Sequence, residues 1–242
     1  MLTMKFEHLG LRPGMRVLDV GCGGGRHIRQ TRLMPGVDAI GLDLGEKEVR
    51  ETQRMLRDLD QHPIEWGGTV PGAGEWKVMR GSIYQLPFAD ESFDCVIISE
   101  VLEHLHHDDL ALSEIRRVLK PGGTLAASVP REGPEALCWA LSKRYRTTPG
   151  GHIRIYRRKK LKQKLTDAGY EIYDSHFAHA LHSPYWWLKC AFGVDREDVK
   201  VVRLYHQLLV WDIMRRPLLT RALESMLSPL IGKSVVFYGT KV

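Results

Sequence analysis

A chain of 242 residues with 43% hydrophobic and 8% aromatic content can bury one substantial core, which excludes both a disordered polymer and a small scaffold stapled by disulfides. The formal charge of +6 invites an anionic partner, but the four cysteines (Cys22, Cys95, Cys138, Cys190) lack a C-x-x-C pair and read as reduced hydrophobes of a cytoplasmic protein. Neither a signal peptide nor a transmembrane helix is expected, because no run of about eighteen apolar residues occurs.

Residues 1–14 form a lead-in that ends at the Pro13-Gly14 turn. A strand is predicted over 16–20, followed by Gly21-Cys22-Gly23-Gly24-Gly25 and a helix from about residue 24. With no side chains at 21, 23, 24 and 25, a ligand can lie on bare backbone whose N–H groups open the helix. The next strand, 38–43, ends at Asp43, and a carboxylate there can accept both hydroxyls of a ribose. A dinucleotide site needs a third glycine where Arg26 stands, and Asp19 would repel a diphosphate while suiting an ammonium group. Hydride chemistry with NAD is therefore disfavoured.

This D-x-G-x-G-x-G pattern resembles the first motif of the class I S-adenosylmethionine-dependent methyltransferases. The resemblance implies that Asp19, Gly21, Cys22 and Gly23 serve the methionine end of the cofactor, while Asp43 and Leu44 hold ribose and flank adenine. A helix from 46 is predicted by Val49, Met55, Leu56 and Leu59, then a surface loop over 67–74 and a third strand at 77–81. Gly81 to Ile98 is similar to the family's segment before strand four (93–99), which assigns Ser82 and Ile83 to the adenine edge, with Ser82 replacing the usual aspartate. Ser99-Glu100-Val101-Leu102-Glu103-His104-Leu105 resembles the family's helix entry after that strand and puts Ser99 under the methionyl group. Arg117 to Leu125 matches a helix end, a Pro-Gly turn and the start of strand five at 123–129. These matches run from about residue 11 to 175 and look like a type 11 methyltransferase domain of the ubiquinone and menaquinone biosynthesis kind.

Helices are expected from 108 and 157, and further strands at 170–177 and 233–241. The fold class expected is α/β: a Rossmann-like, doubly wound, seven-stranded sheet, mostly parallel with an antiparallel last strand, in one domain over 1–242. A helical insertion over 182–230, carrying Tyr185-Trp186-Trp187, is expected to pack on the sheet or cap an acceptor pocket.

Methyl transfer from a sulfonium needs in-line positioning more than catalytic side chains. Where the acceptor is a weak acid, candidate bases are His104, His107 and His152. Glu100, Glu103 and His104 have E-x-x-E-H spacing, which resembles the magnesium-dependent ubiquinone O-methyltransferases and the metal-dependent small-RNA 2′-O-methyltransferases. On a helix the three would share a face and could hold Mg2+, with His152 as a fourth ligand. The expected function is methylation of a small, apolar or aromatic molecule at oxygen, a quinone, lipid or secondary metabolite, with peripheral membrane contact as an added reading. The alternatives are RNA methylation, suggested by Arg154, Arg157 to Lys160, Lys162 and Lys164 though no RNA module accompanies them, and a non-catalytic cofactor-binding protein.

Overall fold

The computed structural model describes residues 2–62, 74–196, 198–215 and 217–242; the loop expected at 67–74 lies outside them except for Gly74. Seven strands form one sheet in the order β3-β2-β1-β4-β5-β7-β6. They are β1 (Arg16–Val20), β2 (Asp38–Asp43), β3 (Trp76–Arg80), β4 (Phe93–Ser99), β5 (Leu119–Pro130), β6 (Tyr170–Ala178) and β7 (Ser234–Lys241). Composition sorts the strands by position: the inner strands β1, β4 and β7 are mostly apolar and buried on both faces, whereas the edge strands β3 and β6 are partly exposed. Strands β1 to β5 run parallel, and β7 is antiparallel to both β5 and β6. The order reverses between β1 and β4, which leaves a crevice at their carboxyl ends of the kind in which open α/β sheets bind ligands.

Helices α1 (Arg26–Arg32) and α2 (Glu46–Gln61) cover one face, where Ile28, Val49 and Leu56 pack with Ala39 and Val78. The lead-in covers more of the sheet, with Met4 and Leu9 against Val17, Ile97 and Tyr238, and Lys5 N donating to Tyr238 Oη at 2.7 Å. The opposite core joins Leu18, Val96 and Ile98 to Leu112 and Ile115 of α3 (Asp108–Val118). Two short helices absent from the sequence-based expectation, α4 (Glu132–Leu141) and α5 (Lys143–Thr147), follow β5. Ser142 starts α5 by accepting from Tyr145 N at 3.1 Å. Leu161 and Leu165 of α6 (Arg158–Asp167) join the second core as their spacing predicts.

Two elements start more than one residue from where the sequence predicts. Strand β5 starts at Leu119, which pairs with Phe93, and the Pro121-Gly122-Gly123 stretch is accommodated as an irregularity in register before Cys95 meets Thr124. Helix α1 starts at Arg26 because Gly25 adopts a left-handed φ of 77° and stands outside it.

Between β6 and β7 lie α7 (His182–Phe192), α8 (Lys200–Arg215) and α9 (Leu218–Ile231). Trp187 Nε1 of α7 donates to Pro134 O of α4 at 3.1 Å, and Tyr205 Oη of α8 donates to Leu181 O at 3.1 Å. Glu224 of α9 accepts from Ala180 N and Leu181 N, at 2.7 and 2.9 Å, and so anchors the entry to α7. No described helix is long and apolar enough to cross a membrane.

Candidate active site

The glycines of the first turn have two distinct jobs. A Cβ at Gly21 would stand 2.4 Å from Val101, and one at Gly25 would meet Met55 and Thr52 of α2 at 2.5 and 2.8 Å, so these two allow close packing. A Cβ at Gly23 or Gly24 would meet nothing within 4 Å, which leaves bare backbone facing open space. Gly21 N and Cys22 N donate to Leu42 O at 2.7 and 3.1 Å, fixing the turn to β2.

Asp43 sits against this turn. One carboxylate oxygen accepts from Gly23 N at 2.8 Å and the other from Gly45 N at 2.9 Å. Each oxygen keeps a second lone pair, enough for two ligand hydroxyls. Leu44 beside it is 68% exposed. Asp19 faces the other way: it is buried, and its Oδ2 accepts from Ile28 N at 3.0 Å, supplying the cap that Gly25 cannot. Burial lifts its pKa to about 7, against the opposing pull of the Ile28 hydrogen bond and Arg26. The Cys22 thiol is buried and its pKa is pushed up by that burial. Ser82 Oγ accepts from Tyr84 N at 3.2 Å in a local turn, and Ile83 is buried in the core. Ser99 is buried and donates to Ser128 Oγ at 3.0 Å, which in turn donates to Glu100 Oε1 at 3.0 Å.

The chain bends sharply after β4. Glu100 has a left-handed φ of 56°, rare for a residue with a side chain, and only 102–104 forms a single 3-10 turn. The shared helical face expected for Glu100, Glu103 and His104 therefore does not form. Glu100 turns to Ser128, while His152 joins Glu103 and His104 instead. Ligand atoms of Glu103, His104 and His152 all lie within 4.8 Å of one another. His107 is exposed and stacks edge-on to Tyr84, away from this cluster.

Glu103 is fully buried and neither carboxylate oxygen has a hydrogen-bond partner. Burial, and then the nearby Glu100 and Glu135 carboxylates, raise its pKa well above the ordinary value, making it a seat for a proton or a cation. The Nε2 atoms of His104 and His152 each lie 3.9 Å from Glu103 Oε1. Their Nδ1 atoms are committed elsewhere: His104 Nδ1 donates to Gly151 O at 3.1 Å and His152 Nδ1 to Glu135 Oε1 at 2.6 Å. With Nδ1 engaged in this way, Nε2 is the ring atom that each histidine leaves near Glu103. Glu135 also accepts from Trp139 Nε1 at 3.0 Å and Tyr145 Oη at 3.3 Å. Burial is the largest single influence and opposes its ionisation, but His152, Lys233 and the Trp139 hydrogen bond together outweigh it and keep its pKa below the ordinary carboxylate value.

A carboxylate with two imidazoles does not fit Mg2+, which prefers oxygen ligands; it suits a borderline transition cation such as zinc or iron(II). Glu135 is not evident from the sequence because it stands 17 residues from His152 and looks like an ordinary first-turn acid of α4. Its only local mark is Trp139, one helical turn on.

Residues 18–127 match the family model described as a methyltransferase domain. These residues form a methyltransferase domain of the class I S-adenosylmethionine-dependent kind. Relatives in the family include the sterol 24-C-methyltransferase of Yarrowia lipolytica, 30% identical over 185 residues that make up 70% of this chain and 44% of that protein. The ubiquinone biosynthesis O-methyltransferase of Hahella chejuensis is 34% identical over 130 residues, 53% of this chain and 49% of that one. The chain spans less than half the length of these relatives. Its fold matches a SAM-dependent methyltransferase from Methanosarcina mazei with a TM-score of 0.61, at 18% identity, covering 100% of this chain and 99% of that one.

Proposed function

We propose that this chain transfers the methyl group of S-adenosylmethionine to an oxygen of an apolar or aromatic small molecule received under α7. The observation that carries this reading is Asp43, whose carboxylate stands against the bare backbone of Gly23 and Gly24. In this reading Asp43 takes the ribose hydroxyls, Leu44 flanks adenine, and Ser82 and Ile83 meet its edge. Gly21 to Gly23 and Ser99 accommodate the methionyl end, with Asp19 bracing α1 behind them. When bound, the cofactor supplies a sulfonium leaving group and the methyl itself. The protein positions the acceptor, excludes water and removes one proton.

His152 Nε2 is the better placed base, because Glu135 fixes its tautomer and supports the imidazolium that forms on protonation. His104 Nε2 is the neighbouring acceptor. The names of the relatives, a sterol methyltransferase and a ubiquinone O-methyltransferase, support an apolar acceptor. Part of the basic cluster is tied up in ion pairs, Arg154 and Lys164 with Asp108 and Arg157 with Glu132, which weakens the RNA alternative. Four buried free thiols accord with a cytoplasmic setting.

The test is incubation with methyl-labelled cofactor and separate lipid, polar-metabolite and RNA pools. Label in the lipid pool supports the proposal, and label confined to RNA overturns it. A second reading is favoured by the orphaned carboxylate of Glu103 between two imidazoles: a zinc- or iron(II)-class ion held by Glu103, His104 and His152 would polarise the acceptor oxygen. Metal analysis of purified protein and activity after EDTA treatment distinguish the two.

A further inference from the structure

Helices α8 and α9 each bury one flank and leave a row of apolar side chains exposed on another. On α8 the buried positions are Val202, Leu209 and Asp212, while Val201, Leu204, Leu208 and Trp211 recur at three- and four-residue intervals on the exposed side. On α9, Thr220 and Ser228 are buried, while Leu219, Met226 and Leu230 are exposed at 72%, 64% and 69%. Isolated exposed hydrophobics need no explanation, but two stripes on consecutive helices do.

The charges beside the stripes are of one sign. Lys200, Arg203, Arg215 and Arg221 are exposed and form no ion pair among the described residues. The two acids on these helices do not balance them: Asp212 is buried, and Glu224 is occupied by Ala180 N and Leu181 N. We propose that the outer face of α8 and α9 docks on an anionic lipid surface, with the stripe residues in the interfacial region and the four cations at the headgroups. A two-fold contact between copies would set this patch against itself and bring like charges together. Anionic lipid supplies the missing countercharge.

Flotation of the purified chain with vesicles tests this without cofactor or acceptor, so that its outcome is independent of methyl transfer. Binding is expected to phosphatidylcholine vesicles containing about 30% phosphatidylglycerol, weaker at raised salt, and absent with phosphatidylcholine alone. Leu204→Asp combined with Leu208→Asp is expected to weaken it at least about tenfold, with circular dichroism and Tm unchanged because both side chains are exposed. Arg203→Glu with Arg221→Glu, which leaves the stripes intact, is expected to weaken binding to the anionic vesicles and to remove its dependence on salt. No vesicle binding, binding by both variants equal to wild type, or a dimer that Leu204→Asp dissociates would each overturn the proposal.

Discussion

Asp43 and Asp19 are both carboxylates at strands feeding one glycine turn, yet their surroundings give them opposite roles. Asp43 is part-buried with lone pairs to spare, so Asp43→Ala is expected to weaken S-adenosylmethionine binding by about 1–3 kcal/mol, roughly five- to 150-fold, in calorimetry. Unchanged affinity would refute the ribose role. Asp19 binds a proton more tightly folded than unfolded, its pKa rising from 3.8 to about 7. Its contribution to stability is therefore full below about pH 4 and is lost as pH rises through 7. Asp19→Asn keeps an oxygen for Ile28 N without the ionisation, and is expected to raise Tm at pH 8 relative to wild type while leaving pH 4 little changed. A lower Tm at pH 8 would show that the ionised carboxylate is needed.

At the scale of elements, α7 presents its two tryptophans differently. Trp187 is tied to Pro134 of α4, whereas Trp186 lies against Tyr145 and Tyr185 and close to Lys233, whose Nζ is 5.5 Å from its ring centre. Trp186→Ala is expected to raise acceptor KM more than cofactor KM in steady-state kinetics; an equal rise in both would assign Trp186 to packing alone. The strands are the legible elements. β1, β2 and β4 lie where apolar runs bounded by glycine, proline or charge predict them, because a strand buried on both faces announces itself in composition. The segment 100–104 is not legible, since its left-handed residue is a glutamate held by Ser128 rather than a glycine. Helices α4 and α5 are hidden by Gly133-Pro134, and with them Glu135, whose partners come from three separate segments.

Across the whole molecule, Asp108 ties three parts together. Its buried carboxylate takes Tyr156 Oη, Arg154 at 2.8 Å and Lys164 at 3.1 Å, joining α3, the segment before α6, and α6 itself. Burial works against its charge, but these donors and cations prevail and lower its pKa, as Lys120 and Arg16 prevail over burial at Asp94. Such groups stabilise the fold above the ordinary carboxylate pKa, and the benefit is lost as pH falls through their lowered values, opposite in sign to Asp19. Asp108→Ala, which strands three polar groups, is expected to cost about 3 kcal/mol in denaturant unfolding at neutral pH. A loss below about 1 kcal/mol would mean that water replaces the carboxylate at little cost.

The antiparallel placement of β7 between β5 and β6 has a consequence for synthesis on the ribosome. Strands β1 to β5 can assemble as they emerge, but β6 has no neighbour in the sheet until residues 234–241 are translated. For that interval the polypeptide carries Tyr170 and Phe177 on an unpaired margin, which makes nascent chains stalled before β7 the species most prone to aggregate.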